Sequence, residues 1–315
     1  MRRSSVVNMT GNSFITKGGA TTAVEYSMDT NFTNLTWSTI NSTTSEGLES
    51  VKFGNSSHNL FAYNIIYQDS PNADSILVTE FARYNNITNN TIIISKQDSS
   101  GILLDANASS NIVNYNDITI RGNNGGGISL ALDAFYNIVH GNIVNVSGTG
   151  STARGITINS AFNNITRNSV NSSQVGIRIV GSANNITANS ATSRGFALRG
   201  NDTFIINNII STPIGDEGAI DANGIWNTTV SGNSIYVNSS GGQVGIATQV
   251  TYNLNSTYNY IQVVQSGDSG FFIGSGNNIT SENDIINISG TGVATAIIIG
   301  EGNLTVINTS FARNS

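Results

Sequence analysis

A chain of 315 residues with 38% hydrophobic side chains, 10% charged ones and a net charge of −6 can bury a sizeable core, yet presents no basic footprint for nucleic acid or anionic lipid. Its three lysines, Lys17, Lys52 and Lys96, are scattered. Without cysteine there are no disulfides or thiolate metal sites, and no apolar run approaches the length of a bilayer-spanning helix.

Met1, Arg2 and Arg3 resemble the basic start of an export signal, but polar residues from Ser4 onward lead straight into the first repeat. If the protein is exported, its signal is expected to have been removed. From there the chain reads as a ladder. An asparagine followed two residues later by an apolar residue occurs at Asn12, Asn64, Asn90, Asn116, Asn142 and Asn168, and from Asn64 onward each step is 26 residues. The rung missing between Asn12 and Asn64 falls at Ser38. A second column, Asn59, Asn85, Asn111, Asn137 and Asn163, keeps the same step. Beyond Asn168 the rungs are expected at Asn189, Asn208, Asn233, Asn259, Asn283 and Asn308, with the shortest steps between Asn168 and Asn208.

Each coil also carries a strand opened by glycine, clearest at Gly101-Ile102-Leu103-Leu104, Gly127-Ile128-Ser129-Leu130 and Gly155-Ile156-Thr157-Ile158. Apolar residues alternate with polar ones, the period of a half-buried strand, and no helical period occurs. So short a unit cannot bury its apolar face alone. Pairing each strand in parallel with its copy one turn later solves this and predicts a tube filled by stacked Ile, Leu and Val. At ~4.8 Å per coil, roughly thirteen coils make a rod on the order of 60 Å long. Asparagine suits the turns because it tolerates left-handed backbone and its amide both donates and accepts between copies.

The grammar of Gly-Ile-x-Leu, Asn-x-Ile and a further Asn-x-Ile resembles the right-handed parallel β-helix repeat of NosD-like, carbohydrate-binding and sugar-hydrolase proteins, over nearly the whole chain. The resemblance implies an all-β, single-stranded right-handed parallel β-helix, a solenoid forming one domain over residues 1–315 or a fragment of a larger surface protein. It further implies an extracellular or cell-surface location and contact with polysaccharide. The Asn, Ser and Thr content is similar to that of archaeal surface proteins.

Candidate functional groups are few. His58 and His140 occupy different places in the repeat and would not converge on a metal, so no resident metal or cofactor is expected, and calcium has no specific motif. The densest carboxylates are Asp216, Glu217 and Asp221, with Arg178, Arg194, Arg199 and Asp202 in neighbouring coils. Carboxylates beside arginine serve proton transfer in lyases and glycosidases, with Asp216, Glu217, Asp221 and Arg199 as the catalytic set, or are solvated loop charges. The short coils nearby are expected to leave a groove. His58, Tyr84, Tyr136 and Phe162 precede the Asn59 column, with Ser110 between, and should stack on one corner. There, Tyr84, Tyr136 and Phe162, with Arg178, are the candidates for binding carbohydrate, the alternative for the rings being packing. About twenty N-x-[ST] sequons occur. Copies such as Asn86 and Asn164 follow from the repeat itself, whereas Asn31, Asn55, Asn107, Asn201, Asn227 and Asn255 are candidate glycosylation sites. Neither end carries a capping helix, so caps in a larger protein or end-to-end association of rods is expected. Two functions stand: a noncatalytic surface scaffold or adhesive module that binds carbohydrate, or a polysaccharide lyase, hydrolase or epimerase.

Overall fold

The computed structural model describes residues 7–18, 22–27, 30–43, 47–213, 218–238, 243–264, 267–289 and 295–313. The chain folds as a right-handed parallel β-helix, with no helix among the described residues. It divides into two compact units, Met1–Asn164 and Ile165–Ser315.

In the first unit three sheets each stack six strands. Sheet A runs from Val7–Thr10 to Ile138–His140, sheet B from Ser13–Lys17 to Ile143–Val146, and sheet C from Val24–Tyr26 to Arg154–Ile158. The 26-residue step is the register itself: Ile92 pairs with Ile66 on one side and Ile118 on the other. Like therefore stacks on like. Leu35, Phe61, Ile87, Val113 and Val139 fill the tube from sheet A, and Ile40, Ile66, Ile92, Ile118 and Val144 from sheet B, all buried. Each such side chain contributes roughly 1.5–3 kcal/mol of transfer free energy. The glycines that open the sheet C strands make room for this packing. A Cβ on Gly127 would lie 2.2 Å from Val144 Cγ1 and 2.3 Å from the Gly155 carbonyl oxygen.

Both asparagine columns are buried and hydrogen-bonded through the whole unit. In the first, the backbone N–H of Asn59, Asn85, Asn111 and Asn137 donates to the Oδ1 of the next asparagine at 2.8–3.1 Å. In the second, Asn116 Oδ1 accepts from both the N–H and the Nδ2 of Asn90, while Asn116 Nδ2 donates to Ile87 O and Asn142 Oδ1. Ser38 is a rung, donating its N–H to Asn64 Oδ1 at 2.9 Å.

In the second unit sheet B runs from Ser169–Ser172 to Ser310–Arg313, sheet C from Ile177–Ile179 to Thr295–Ile299, and sheet A from Asn185–Thr187 to Leu304–Ile307. The ladder continues through Asn168, Asn189, Asn208, Asn233 and Asn259. Its next rung is Asp284 rather than the expected Asn283. Asp284 Oδ1 accepts the N–H and Nδ2 of Asn259, and Oδ2 accepts the hydroxyls of Ser256 and Ser281. Asn283 takes the left-handed turn position just before it, φ 54°. By the same register Thr309, not Asn308, follows Asp284, since Ser310 pairs with Ile285. Carboxylate and amide oxygens accept alike, so the ladder needs an acceptor rather than asparagine as such.

Asn116→Ala removes the acceptor for two buried donors of Asn90. Each orphaned donor costs about 1–3 kcal/mol, so urea denaturation is expected to show a loss of roughly 2–4 kcal/mol with the β-helix retained. Asp74, whose Oδ1 accepts the Ser100 N–H at 2.9 Å, offers a pH test. Burial raises its pKa above the ordinary 3.8, hydrogen bonds from Ser100 oppose the rise, and Glu49 and Asp105 add to it. A raised carboxyl pKa means that ionisation destabilises the fold. Asp74→Asn, which keeps the acceptor, should raise the melting temperature at neutral pH, and the gain should vanish as pH falls below 3.8.

Candidate glycan-binding corners and a charge-paired depression

Each coil of the first unit has only four residues between the αL residue that precedes one asparagine column and the one that precedes the other, so the backbone turns sharply at both corners. The residue before each asparagine takes the left-handed region, at φ 55–60° for most of them. Glycine or asparagine would adopt this conformation most cheaply; bulky side chains are outliers there. The first unit nevertheless places rings at both corners. Before the Asn59 column come Phe32, His58, Tyr84, Ser110, Tyr136 and Phe162. Before the Asn64 column come Trp37, Tyr63, Asn89, Tyr115 and Gly141.

The rings stand outward and stack along the coil direction. Phe32 and His58 lie 5.1 Å apart between centroids, His58 and Tyr84 5.0 Å, and Tyr136 and Phe162 5.3 Å. Trp37 and Tyr63 are 4.5 Å apart and within 5° of parallel. These rings are exposed, with Tyr84 at 54% and Tyr136 at 62%. Tyr115 completes the second corner by contacting His140, its hydroxyl 3.2 Å from Nε2. Phe32 and the whole Trp37 corner escaped the sequence reading, although both obey the 26-residue step. Between the corners the sheet A strand is short, and its outward Ala62 and Thr88 are buried at 1% and 8%.

Of the expected carboxylate set, Asp216 and Glu217 lie outside the described residues. Asp221 and Arg199 do meet: Arg199 Nη2 lies 2.5 Å from Asp221 Oδ2, and Nη1 donates to the Asp221 and Leu198 carbonyls. Asp221 pairs in register between Ala197 and Ala247, and Arg178 pairs with Ala197, so the outward row on sheet C reads Arg178, Ala197, Asp221, Ala247, Phe272. Small neighbours on both sides leave Asp221 at the floor of an open depression of about 340 Å³, lined also by Arg199, Asn223, Gln249 and Phe272. Arg199 belongs to a short coil, whereas Asn223, Gln249 and Phe272 come from longer ones. This arrangement presents one charge-paired carboxylate and two amides to an oxygen-rich ligand. Among the described residues no group of three or more His, Asp or Glu side chains could hold a metal ion.

The candidate glycosylation sites differ in availability. Asn55 and Asn107 are exposed turn residues and Asn255 is an exposed strand residue. Asn31 Oδ1 accepts the N–H and hydroxyl of Ser57, and Asn201 Oδ1 accepts the Trp226 N–H. Asn227 belongs to an external amide ladder, donating to Asp202 and accepting from Asn253.

No protein-family model matches the sequence, and no curated protein matches it. Its fold is similar to that of solved phage tailspikes. The D339A mutant tailspike of E. coli bacteriophage HK620, in complex with a pentasaccharide, aligns with a TM-score of 0.63 at 12% identity, over 92% of this chain and 70% of that one. The Dettilon tailspike gp208 aligns with a TM-score of 0.50 at 17% identity over 91% of this chain, which spans 61% of the tailspike's length. The Streptococcus pneumoniae surface protein and adhesin PfbA aligns with a TM-score of 0.42 at 13% identity, over 96% of this chain and 91% of that one. The two tailspike likenesses show the parallel β-helix fold and nothing beyond it.

Replacing Arg199 by Met, of similar length and uncharged, leaves the Asp221 carboxylate without its ion-pair partner. For this partly exposed pair, with two carbonyl hydrogen bonds lost beside it, the expected loss on thermal denaturation is about 1–2 kcal/mol, less than at a ladder asparagine.

Proposed function

We propose that this protein is a noncatalytic surface β-helix that binds carbohydrate through the ring-bearing corners of its first unit. The observation that carries the reading is the placement of His58, Tyr84, Tyr136, Phe162, Trp37 and Tyr63 in left-handed backbone with their rings exposed. Strained backbone at an outward aromatic is a conformation that sites of recognition retain. The C–H faces of a pyranose are apolar and its hydroxyls polar, which matches aromatic surface rimmed by Ser, Thr and Asn. The pentasaccharide bound to the tailspike of similar fold supports glycan as the ligand class and an extracellular setting. Arg178, on the second unit, would contact a charged sugar independently of the corners. The repeat grammar alone supports placement among NosD-like proteins.

A second reading, a polysaccharide lyase, hydrolase or epimerase, is favoured by the Asp221–Arg199 depression. There Asp221, with Asp216 or Glu217, would exchange protons with a glycosidic oxygen or a uronate. Glycans at Asn55, Asn107 and Asn255 are part of the surface reading, and peptide mapping of native material is expected to find them there.

The deciding experiment is incubation with a broad polysaccharide panel, with and without calcium, reading bound fraction and product masses. Binding without new oligosaccharide masses is expected. Tyr84→Ala with Tyr136→Ala should weaken it about tenfold, or roughly 1.4 kcal/mol, with the fold intact. New product masses that disappear in Asp221→Ala would establish the enzyme instead, and unfolding of the tyrosine variant would assign the rings to packing.

A further inference from the structure

The rings of the first corner are not equally open. His58 has a ring on each side, Phe32 at 5.1 Å and Tyr84 at 5.0 Å, so both its faces are covered. Tyr136 has one face stacked on Phe162 and a looser, tilted contact with Phe135, whose ring centroid lies 6.5 Å away at 59°. The column is broken once, at Ser110, which holds the same left-handed corner position, φ 57°, as Tyr84 at 59° and Tyr136 at 59°. Registered pairing of Asn86 with Ile112 and of Ile112 with Ile138 places these three corners on consecutive coils. No ring stacks on the second face of Tyr84 or of Tyr136, and the missing rung lies between these two residues.

Two coil steps separate those faces by about 10 Å. Carbon atoms pack at about 3.5–4.0 Å, so two ring contacts occupy about 7–8 Å of that distance and leave depth for one puckered ring between them. We infer that Tyr84, Ser110 and Tyr136 form a slot that takes a single pyranose residue of a glycan, sandwiched edge-inward between the two tyrosine faces above Ser110. A sugar supplies apolar C–H groups on both faces, the feature the two rings can use, and hydroxyls around its rim. The rim meets polar groups: the Ser110 side chain at the base, Ser109 before it, and the exposed guanidinium of Arg83, which precedes Tyr84 and bridges in register to Ser109. The hydroxyls of Tyr84 and Tyr136 lie at the mouth. The second corner has no equivalent slot. There Asn89 fills the rung between Tyr63 and Tyr115 with a planar amide, its Nδ2 donating to Thr88 Oγ1 at 2.9 Å. This inference rests on the glycan-binding reading and narrows it to one sugar ring at one position.

The test fills the slot with the ring that neighbouring coils carry. Ser110→Tyr inserts a residue that this backbone position already holds at Tyr84 and Tyr136, so the column becomes continuous and the fold is kept or stabilised. For whichever panel glycan the wild-type protein binds, Ser110→Tyr should weaken binding at least tenfold, with melting temperature unchanged or higher, whereas Ser110→Ala, which keeps the slot open and removes only the hydroxyl at its base, should weaken it far less. In saturation-transfer NMR with irradiation of aromatic protons, one sugar residue of that glycan should be labelled on both faces. Wild-type affinity in a folded Ser110→Tyr protein, or labelling of one sugar face only, overturns the slot while leaving glycan binding in place. Failure of the wild-type protein to bind any glycan overturns the slot together with the reading beneath it. If Ser110→Tyr does not fold, the two-face labelling of the wild-type complex decides alone.

Discussion

Every coil depends on a hydrogen bond that it cannot make by itself. At each corner the chain turns so tightly that a backbone N–H and a carbonyl point into the tube with no partner in their own coil, and the amide of the next coil's asparagine meets them. Asn90 illustrates the arrangement: its Oδ1 accepts from Asn64, its Nδ2 reaches Phe61 O and Asn116 Oδ1, and its N–H is taken by Asn116. A buried amide left unpaired costs a large fraction of a marginal stability. The column thus sets the register, the register stacks isoleucine on isoleucine, and that stacking fills the interior.

Because the interior carries this load, the outer side of each corner is free to vary, and the two units use it differently. In the first unit the left-handed residues before the Asn59 column are mostly rings. In the second, the corresponding residues include Asp202, Asn227, Asn253 and Asn278, whose side chains hydrogen-bond to one another on the outside. Amides satisfy this turn without aromatic side chains. The rings of the first unit are therefore an addition to the corner, not a requirement of it.

The fold was readable because its signal repeats. Two asparagine columns at one spacing, with apolar residues two positions on, specify parallel register directly, and Ser38 was legible as a rung by position alone. The reading slipped where chemistry substitutes for identity: Asp284 accepts the same hydrogen bonds as asparagine, so following the letter led to Asn283, one residue early. The site was less legible. Tyr84 and Tyr136 were visible as a column, but whether a ring at a corner is covered or open depends on its two axial neighbours and its rotamer, which spacing does not carry. The Trp37 corner was overlooked because Asn89 and Gly141 interrupt it. From sequence, Asp221 and Arg199 stand only within a wider group of carboxylates and arginines; that these two meet depends on coil register, and the depression around them follows from the small size of Ala197 and Ala247 in the adjoining coils.

Strand alternation also governs which asparagines an oligosaccharyltransferase could recognise. Each of the fifteen fully buried asparagines among the described residues is followed, two positions on, by a buried apolar residue, as Asn116 is by Ile118 and Asn208 by Ile210. An inward residue obliges its second neighbour to point inward as well, and at all fifteen of these places that neighbour is apolar rather than serine or threonine. None of the fifteen therefore spells a sequon. The signal therefore falls outside the buried columns, at residues such as Asn55, Asn107 and Asn255, and the amides of the columns do not carry it.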